Sequence, residues 1–256
     1  MRRPLPTSPP TSAAKAAPPA TNNLAALNDI KMFHAVIFDV DGTLVDSNDA
    51  HATAWVHAIA ESGRHVEFSR VRPLIGMGGD KLLPSVTGLS IESSEGKSIA
   101  DRRRASVADE AGSRGGKSRG AQRLLEWLRD DRKTLVVASS AEEDELQDLL
   151  RVAGTAKMFE STASSDDAER SKPDPDIVVA AIKQANCPVA DIIMVGDTPY
   201  DVEAALRAGI EIIGLRSGGW SDAELRGAVA IYDDPADLVE HYDLSPFRRL
   251  AAGRSV

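Results

Sequence analysis

Short apolar runs alternate with longer segments of helical spacing, and this alternation restricts the chain to few folds. Four β-branched apolar runs have the length of strands buried on both faces: Val36–Val40, Thr134–Ala138, Ile192–Val195 and Glu211–Leu215. Apolar residues three or four positions apart mark helices: Ala121–Arg129, Glu142–Val152, Asp176–Ala185 and Asp201–Ala208. The alternation predicts an α/β fold with a Rossmann-like, doubly wound parallel sheet. Ligands of such sheets bind at the carboxyl ends of the strands.

The segment 48–118 interrupts this alternation because it contains no convincing strand. Its spacing predicts three helices: His51–Ala60, Asp80–Val86 and Lys97–Ala111. We therefore expect an α-helical cap domain at 48–118, inserted into an α/β core formed by residues 32–47 and 119–256. The two connections, Asp46–Asn48 and the glycine-rich Gly112–Gly120, suit hinges.

The first 31 residues differ in composition from the rest. Residues 1–20 hold six prolines and five alanines, which predicts a disordered tail, because such a stretch buries too little apolar surface to fold. Prolines interrupt the only candidate for the apolar region of a signal peptide, so we expect a cytoplasmic protein. Whether this tail belongs to the functional protein is left open.

Charge and hydropathy exclude several classes of function. The chain has 30 basic and 39 acidic side chains, a formal net charge of −9. Nucleic-acid binding needs clustered Lys and Arg, and no apolar run approaches the roughly 18 residues of a membrane span. We expect a small-molecule substrate, and no nucleic acid or membrane partner. The oligomeric state is left open.

Two carboxylates, Asp39 and Asp41, follow the first predicted strand. In extended chain they point to the same side, so both can face one ligand. Buried carboxylates are costly without a cation, which calls for a metal ion or a lysine. Gly42 permits a tight turn after them, and Thr43 offers a hydroxyl. An ordinary Asx turn at a strand end is the alternative.

Two serines, Ser139 and Ser140, follow the second predicted strand. A serine at the mouth of a helix can bind phosphate through its hydroxyl and nearby N–H groups. Ser140 and Glu143 also have the spacing of a capping box. We expect Ser140 to cap the helix and Ser139 to face the ligand.

Lys172 precedes Pro173, and proline suits the first position of a helix. This would place Lys172 at a helix entrance, where it neutralises a carboxylate and a phosphate together. Taken alone, a lysine before a proline is more often a solvated charge.

Asp197 ends another predicted strand, and Asp201 follows four residues later. Helical spacing would put both carboxylates on one face. Their oxygens suit Mg²⁺, which binds one or two carboxylates, several waters and a substrate phosphate.

The order of these motifs is more informative than any one of them. It runs Asp-x-Asp at 39–41, Ser at 139, Lys-Pro at 172–173 and Gly-Asp-x-x-x-Asp at 196–201. In this order the sequence resembles the haloacid dehalogenase-like phosphohydrolases, in the phosphatase and β-phosphoglucomutase-like branch with an α-helical cap. The resemblance covers about residues 33–244.

The resemblance implies that Asp39 is a nucleophile that forms an aspartyl-phosphate, and that Asp41 is the general acid and base. It implies Mg²⁺ held by Asp39, Asp197 and the main-chain carbonyl of Asp41. An acid at position 41 favours phosphoryl chemistry over carbon–halogen cleavage. The expected function is a Mg²⁺-dependent phosphatase for a small phosphorylated metabolite.

Further residues receive roles from the same resemblance. Asp201 would act through water or by holding Lys172, and Ser139 and Lys172 would bind phosphoryl oxygens. Thr43 and Ser140 complete the predicted phosphate-binding set.

A sugar phosphomutase and a non-catalytic binder of a phosphorylated ligand are the alternatives. The mutases carry a histidine in the first helix of the cap, and His51 resembles it. His51 could equally be a helix residue without a catalytic part. Mutases carry an arginine for a second phosphate where this chain reads Gly-Met-Gly-Gly at 76–79. Gly76, His51 and Lys81 are the candidate cap contacts, with Lys81 as a replacement for that arginine. The mutases also tend to have a Glu-Asp pair where this chain has Gly196-Asp197, so hydrolysis is favoured.

Two basic stretches in the predicted cap invite other interpretations. Residues 112–118 resemble a phosphate-binding P-loop, but the glycine spacing is wrong and no strand precedes them. The run Arg102–Arg104 predicts a solvated helix face, or at most a secondary contact for a charged substrate.

Overall fold

A computed structural model describes residues 32–114 and 116–248, with the backbone alone for 108–114. The predicted tail at 1–31 lies outside the described residues. No helix in the described ranges combines the length and hydropathy needed to cross a membrane.

Six parallel strands form a single sheet in the order β3-β2-β1-β4-β5-β6. Their bounds are β1 Ala35–Phe38, β2 Thr134–Ala138, β3 Ser161–Ala163, β4 Ile192–Gly196, β5 Glu211–Leu215 and β6 Ala230–Tyr232. The strand order reverses at β1, which pairs with β2 on one side and β4 on the other. This is the doubly wound arrangement, and the predicted α/β fold is confirmed.

Helices pack on both faces of the sheet, which explains why the strands are apolar throughout. Alternate residues of β1 point to opposite faces: Val36 and Phe38 join one buried cluster, and Ala35 and Ile37 join the other. The helices are α1 Asn48–Glu61, α2 Phe68–Val71, α3 Gly79–Thr87, α4 Ser94–Arg114, α5 Ala121–Asp130, α6 Glu143–Ala153, α7 Asp176–Ala185, α8 Pro199–Arg207 and α9 Pro235–Glu240.

Helices α1 to α4 follow β1 directly and form what we call the helical insertion, residues 48–114. They enclose a third apolar cluster that includes Trp55, Ile59, Leu82 and Ile99. The three helices predicted in this region are confirmed, each with slightly wider bounds. The four-residue helix α2 was not predicted, because a single turn shows no periodicity.

Several local predictions are wrong. Helix α4 continues to Arg114, so the first residues of the predicted hinge Gly112–Gly120 are helical, and Gly115 lies outside the described residues. Pro173 does not begin a helix: α7 starts at Asp176, with Pro175 at its N-cap. Strands β3 and β6 escaped detection because three residues are too few to show a pattern.

Candidate active site

The carboxylates of the first and last motifs meet because their strands are neighbours in the sheet. Phe38 lies opposite Val195 in the register of β1 and β4, and the N–H of Asp39 donates to the carbonyl of Val195 at 3.0 Å. Asp39 and Asp197 therefore leave the sheet side by side, at the point where the strand order reverses. Oxygens of Asp39, Asp197 and Asp201 lie within 4.8 Å of one another, and all three residues are buried.

Lys172 is fully buried among these carboxylates. Its Nζ donates to Asp39 Oδ1 at 2.5 Å and to the carbonyl of Ala138 at 2.9 Å, and it lies 2.8 Å from Asp201 Oδ1. Burial lowers the pKa of Lys172, but Asp201 and Asp39 outweigh burial and raise the pKa above its usual value. The lysine stays charged, so the predicted solvated alternative is wrong.

Asp197 is oriented by two side chains from the β1–α1 connection and the start of α1. Thr43 Oγ1 donates to Asp197 Oδ1 at 3.0 Å, and Asn48 Nδ2 donates to Oδ2 at 2.9 Å. Burial, and then the charge of Asp201, raise the pKa of Asp197 to about 7, although these two hydrogen bonds and Lys172 lower it. Thr43 thus holds a carboxylate rather than facing the ligand, contrary to the expectation for a phosphate contact.

Gly42 lies against this carboxylate and cannot be replaced without displacing it. Its φ is +78°, a left-handed conformation that glycine adopts at little cost. A Cβ at this position would overlap with Asp197 Oδ2 and Asn48 Nδ2. The tight turn that the sequence predicts at Gly42 is therefore present, and its further effect is to let the loop approach Asp197.

Asp201 reaches the cluster by a route that helical spacing did not predict. Helix α8 begins at Pro199, with Thr198 as its N-cap, so Asp197 precedes the helix and shares no face with Asp201. Asp201 Oδ2 accepts from the Thr198 N–H at 3.0 Å and from Thr198 Oγ1 at 2.7 Å. This capping box leaves Oδ1 directed at Lys172, so the predicted proximity is right and its reason wrong.

One lysine does not balance three buried carboxylates. Burial is the largest cause that raises the pKa of Asp39, and Asp201, Asp197 and Asp41 raise it further against the lowering effect of Lys172. Such a set of hard oxygen donors with a surplus of negative charge fits a divalent cation. The residues present are thus suited to the metal that the family resemblance implies.

Asp41 faces a different environment from its neighbour Asp39. Its Oδ1 accepts from Ser47 Oγ at 2.5 Å and is 2.6 Å from His51 Nε2. Burial raises the pKa of Asp41, but its interactions with His51 and Ser47, and the charge of Arg103, outweigh burial and lower the pKa to about 2. Asp41 is accordingly an ionised acceptor in this arrangement.

Arg103 on α4 fixes the tautomer of His51. Its Nη2 lies 2.5 Å from His51 Nδ1, and its Nη1 donates to Glu145 Oε2 on α6 at 2.6 Å. Because arginine only donates hydrogen bonds, His51 Nδ1 accepts, and its Nε2 carries the proton directed at Asp41. The prediction of a solvated face for Arg102–Arg104 is therefore wrong at Arg103, whose contacts join residues far apart in sequence.

The two serines after β2 differ from the prediction in one respect, because Ser140 does not cap the helix that follows. Helix α6 begins at Glu143 with Glu142 as its N-cap, so the predicted capping box of Ser140 is absent. Ser140 lines the cavity beside Asp39 and Asp41, and its hydroxyl lacks a described hydrogen-bond partner. Ser139 is fully buried, and its Oγ accepts from the N–H of Ala141 at 3.1 Å.

Of the three predicted cap contacts, two line the cavity and one does not. His51 and Gly76 line the cavity of about 60 Å³ that contains Asp39 and Asp41. Lys81 instead binds Asp174 Oδ2 at 2.5 Å and the carbonyl of Ser171 at 2.6 Å. It is not among the described residues that line this cavity, so it does not supply the missing cation of a second phosphate site.

The fold and site define a class of protein: a doubly wound enzyme with a lysine-bridged carboxylate cluster at its strand ends. Comparison with known proteins agrees. The sequence model of the family described as haloacid dehalogenase-like hydrolase matches residues 36–215. The chain belongs to this family.

Individual relatives are similar over most of their length. Validoxylamine A 7'-phosphate phosphatase of Streptomyces hygroscopicus subsp. limoneus is 26% identical over 211 residues, covering 79% of this chain and 94% of the relative. The structure of a hydrolase from Pseudomonas syringae is similar with a TM-score of 0.76 and 30% identity, and the match covers 82% of this chain and 98% of that chain. A β-phosphoglucomutase from Clostridium difficile shares the fold, with a TM-score of 0.71 and 19% identity, and the match covers 84% of this chain and 97% of that chain. The predictions of this family and of a phosphoric monoester hydrolase are confirmed.

Proposed function

We propose that the protein is a Mg²⁺-dependent phosphatase that hydrolyses a small phosphomonoester through an aspartyl-phosphate on Asp39. One observation carries this proposal: Lys172 bridges Asp39 and Asp201 within a buried cluster that also contains Asp197. A nucleophile, a fixed cation and carboxylates with surplus negative charge are the groups that phosphoryl transfer uses.

Asp39, Asp197 and the main-chain carbonyl of Asp41 would hold the metal, with Asp201 acting through Lys172. Bound there, Mg²⁺ would offset the negative charge of the carboxylates and of the incoming phosphate. Thr43 and Asn48 keep Asp197 in place by their hydrogen bonds.

In the first step a carboxylate oxygen of Asp39 bonds to phosphorus while the bond from phosphorus to the leaving oxygen breaks. Asp41 gives the leaving oxygen a proton. In the second step Asp41 takes a proton from water, the water oxygen bonds to phosphorus, and the bond to Asp39 breaks. Inorganic phosphate leaves, and Asp39 is regenerated.

The contacts of Asp41 match the second of these roles. As an ionised acceptor of His51 and Ser47 it can receive a proton from water. Donating a proton in the first step requires the other protonation state. We propose that substrate in the cavity displaces one of these two donors and so raises the proton affinity of Asp41.

Lys172 and the serines at 139 and 140 would contact the phosphoryl oxygens. Ser140 already lines the cavity with a hydroxyl that has no hydrogen-bond partner among the described residues, and Ser139, whose Oγ accepts one hydrogen bond, retains its proton for donation. The helical insertion would act as the cap, which makes 48–118 a proposed domain within the core of 32–47 and 119–256. The cytoplasmic location stays a prediction from the sequence.

A phosphomutase is the second candidate, and the position of Lys81 argues against it. A mutase must hold a second phosphate, whereas Lys81 is bound to Asp174 and Ser171. Nuclear magnetic resonance of a sugar phosphate incubated with the protein separates the two reactions: an isomer supports the mutase, and inorganic phosphate supports the phosphatase.

The direct test is release of phosphate from p-nitrophenyl phosphate with Mg²⁺ and with excess chelator. We expect the wild type to release phosphate with Mg²⁺ and not with chelator, and we expect no release from Asp39→Asn in either condition. Equal activity of the wild type and this variant would show that Asp39 is not the nucleophile. Tight binding of phosphorylated ligands without turnover would support the non-catalytic alternative.

A further inference from the structure

A second cavity of about 440 Å³ adjoins the cavity that contains Asp39 and Asp41. The two share six lining residues: Trp55, Gly78, Gly79, Arg103, Ser140 and Ala141. If phosphorus lies at Asp39, as the proposed function requires, then the leaving group of the substrate extends into the larger cavity. The residues of this leaving-group cavity therefore select the substrate.

The cations of the leaving-group cavity are already paired. Three cationic side chains line it among the residues whose side chains are described. Arg103 binds Glu145 at 2.6 Å, and Lys97 lies 3.0 Å from Glu92. Arg104 binds Glu142. An anionic group on the substrate would find each of these cations neutralised by a carboxylate.

Carboxylates outnumber these cations by six to three. The six are Asp80, Glu92, Asp101, Glu142, Glu145 and Glu169. Three negative charges are in excess, and a carboxylate or second phosphate on the substrate would add to them. This repulsion is largest at the buried Glu145 and is screened by solvent at the exposed carboxylates, such as Glu92.

Glu145 supplies an independent indication of a ligand. Its side chain is only 7% exposed, and while Oε2 binds Arg103, Oε1 has no hydrogen-bond partner within the described structure. His51 Nδ1 is 3.6 Å away, too far to satisfy it, and accepts from Arg103. A buried acceptor without a partner is costly, so a donor on the substrate would bind here favourably.

Part of the cavity lining is apolar. Trp55 and Ile91 line the cavity, and the guanidinium of Arg103 lies 5.6 Å from the centre of the Trp55 ring. An apolar surface beside hydrogen-bond acceptors suits a ring with C–H groups on one face and donors at its edge. We propose that the leaving group is a hydroxylated ring bearing an amine, with no carboxylate and no second phosphate.

The test compares three ring phosphates as competitors of p-nitrophenyl phosphate hydrolysis: glucosamine 1-phosphate, glucose 1-phosphate and glucuronic acid 1-phosphate. They share a six-carbon skeleton and differ in carrying an ammonium, no charge or a carboxylate. We expect inhibition constants to increase in that order, by roughly threefold and then roughly tenfold at low salt, with both ratios shrinking as salt rises. An equal or reversed order overturns the proposal.

Two variants assign the preference to the cavity, since a general loss of activity cancels in the ratios. Glu145→Gln should reduce the ratio of inhibition constants that favours the ammonium-bearing competitor over the uncharged one. Glu143→Gln, the same change on the same helix but outside the cavity lining, should leave this ratio unchanged. Should Glu145→Gln fail to fold, the exposed Glu169→Gln provides the same test with a smaller shift. Unchanged ratios in both cavity variants overturn the proposal.

Failure of the proposed function gives a different result. In that case p-nitrophenyl phosphate is not hydrolysed with Mg²⁺ at all. If it is hydrolysed, and only the order of the three competitors is wrong, then the function stands and the inference about the leaving group fails.

Discussion

The core and the helical insertion contribute to the same site in different ways. In the core, Asp39 and Asp197 take their positions from the ends of adjacent strands, and the sheet register fixes them. In the insertion, His51 and Arg103 act through side-chain contacts that join α1, α4 and α6. The comparison supports a proposed division of labour: the core would hold the phosphoryl group, while the insertion would control the protonation of Asp41 and contact the leaving group.

The largest effect should come from Asp39, the proposed nucleophile in the core. We expect Asp39→Asn to lower turnover of p-nitrophenyl phosphate by roughly a thousandfold or more, because an amide cannot form the acyl phosphate. The matched control Asp243→Asn, at an exposed carboxylate, should keep full activity. Comparable loss in both variants would show that the effect is not specific to Asp39.

Lys172→Met should have the largest effect on stability. The change leaves Asp39 and Asp201 buried without their cation, which costs about 3–5 kcal/mol in the free energy of unfolding. Urea unfolding without metal measures this loss, and Lys183→Met on an exposed face of α7 is the control. A loss below about 1 kcal/mol would show that the core does not depend on this lysine.

Stabilisation by the metal should depend on pH. The folded pKa of Asp197, about 7, is above its unfolded value, so its proton stabilises the metal-free protein at low pH. This stability is lost as pH rises through about 7. Mg²⁺ competes with that proton. We therefore expect Mg²⁺ to raise the Tm of the protein more at about pH 8 than at about pH 5.5.

Differential scanning fluorimetry with and without Mg²⁺ measures both shifts. Asp197→Asn, which removes the titrating carboxylate proposed as a metal ligand, should abolish most of the increase at either pH. An equal increase at both values in the wild type would show that no buried carboxylate of the core titrates with metal binding.

The smallest predicted effect lies in the insertion. Arg103→Met should lower kcat by roughly tenfold and change the pH profile, because His51 loses the donor that fixes its tautomer. Arg102→Met, at an exposed neighbour on the same helix, should leave both unchanged. A change in KM alone, with an unaltered pH profile, would show that Arg103 does not influence Asp41.

The same division explains what the sequence could predict. Four of the six strands, and the positions of Asp39 and Asp197 at strand ends, follow from local patterns, because a buried strand and its end are visible in a few residues. Lys172 contacts Asp39 over 133 positions, and it does so from a loop and not from the helix entrance that the sequence predicts. The roles of Asn48 and Arg103 depend on contacts over 149 and 52 positions. No local pattern carries that information.

Errors in the predicted site have a similar cause. The expected capping box at Ser140 is absent because α6 starts later than the spacing suggests, whereas a capping box that the sequence analysis did not predict forms at Thr198 and Asp201. Thr43 was expected to contact phosphate but donates to Asp197 instead. A hydroxyl near a strand end has several partners within reach, and only the folded structure shows which one it takes.

Trapping the covalent intermediate tests the central claim most directly. The protein is mixed with Mg²⁺ and p-nitrophenyl phosphate, quenched in acid and digested with trypsin, and the peptide Met32–Arg64 is analysed by mass spectrometry. The account predicts a gain of one phosphoryl group, located at Asp39 and absent from Asp39→Asn. Turnover without any phosphoryl group on this peptide, or with the group on Asp41, would contradict it.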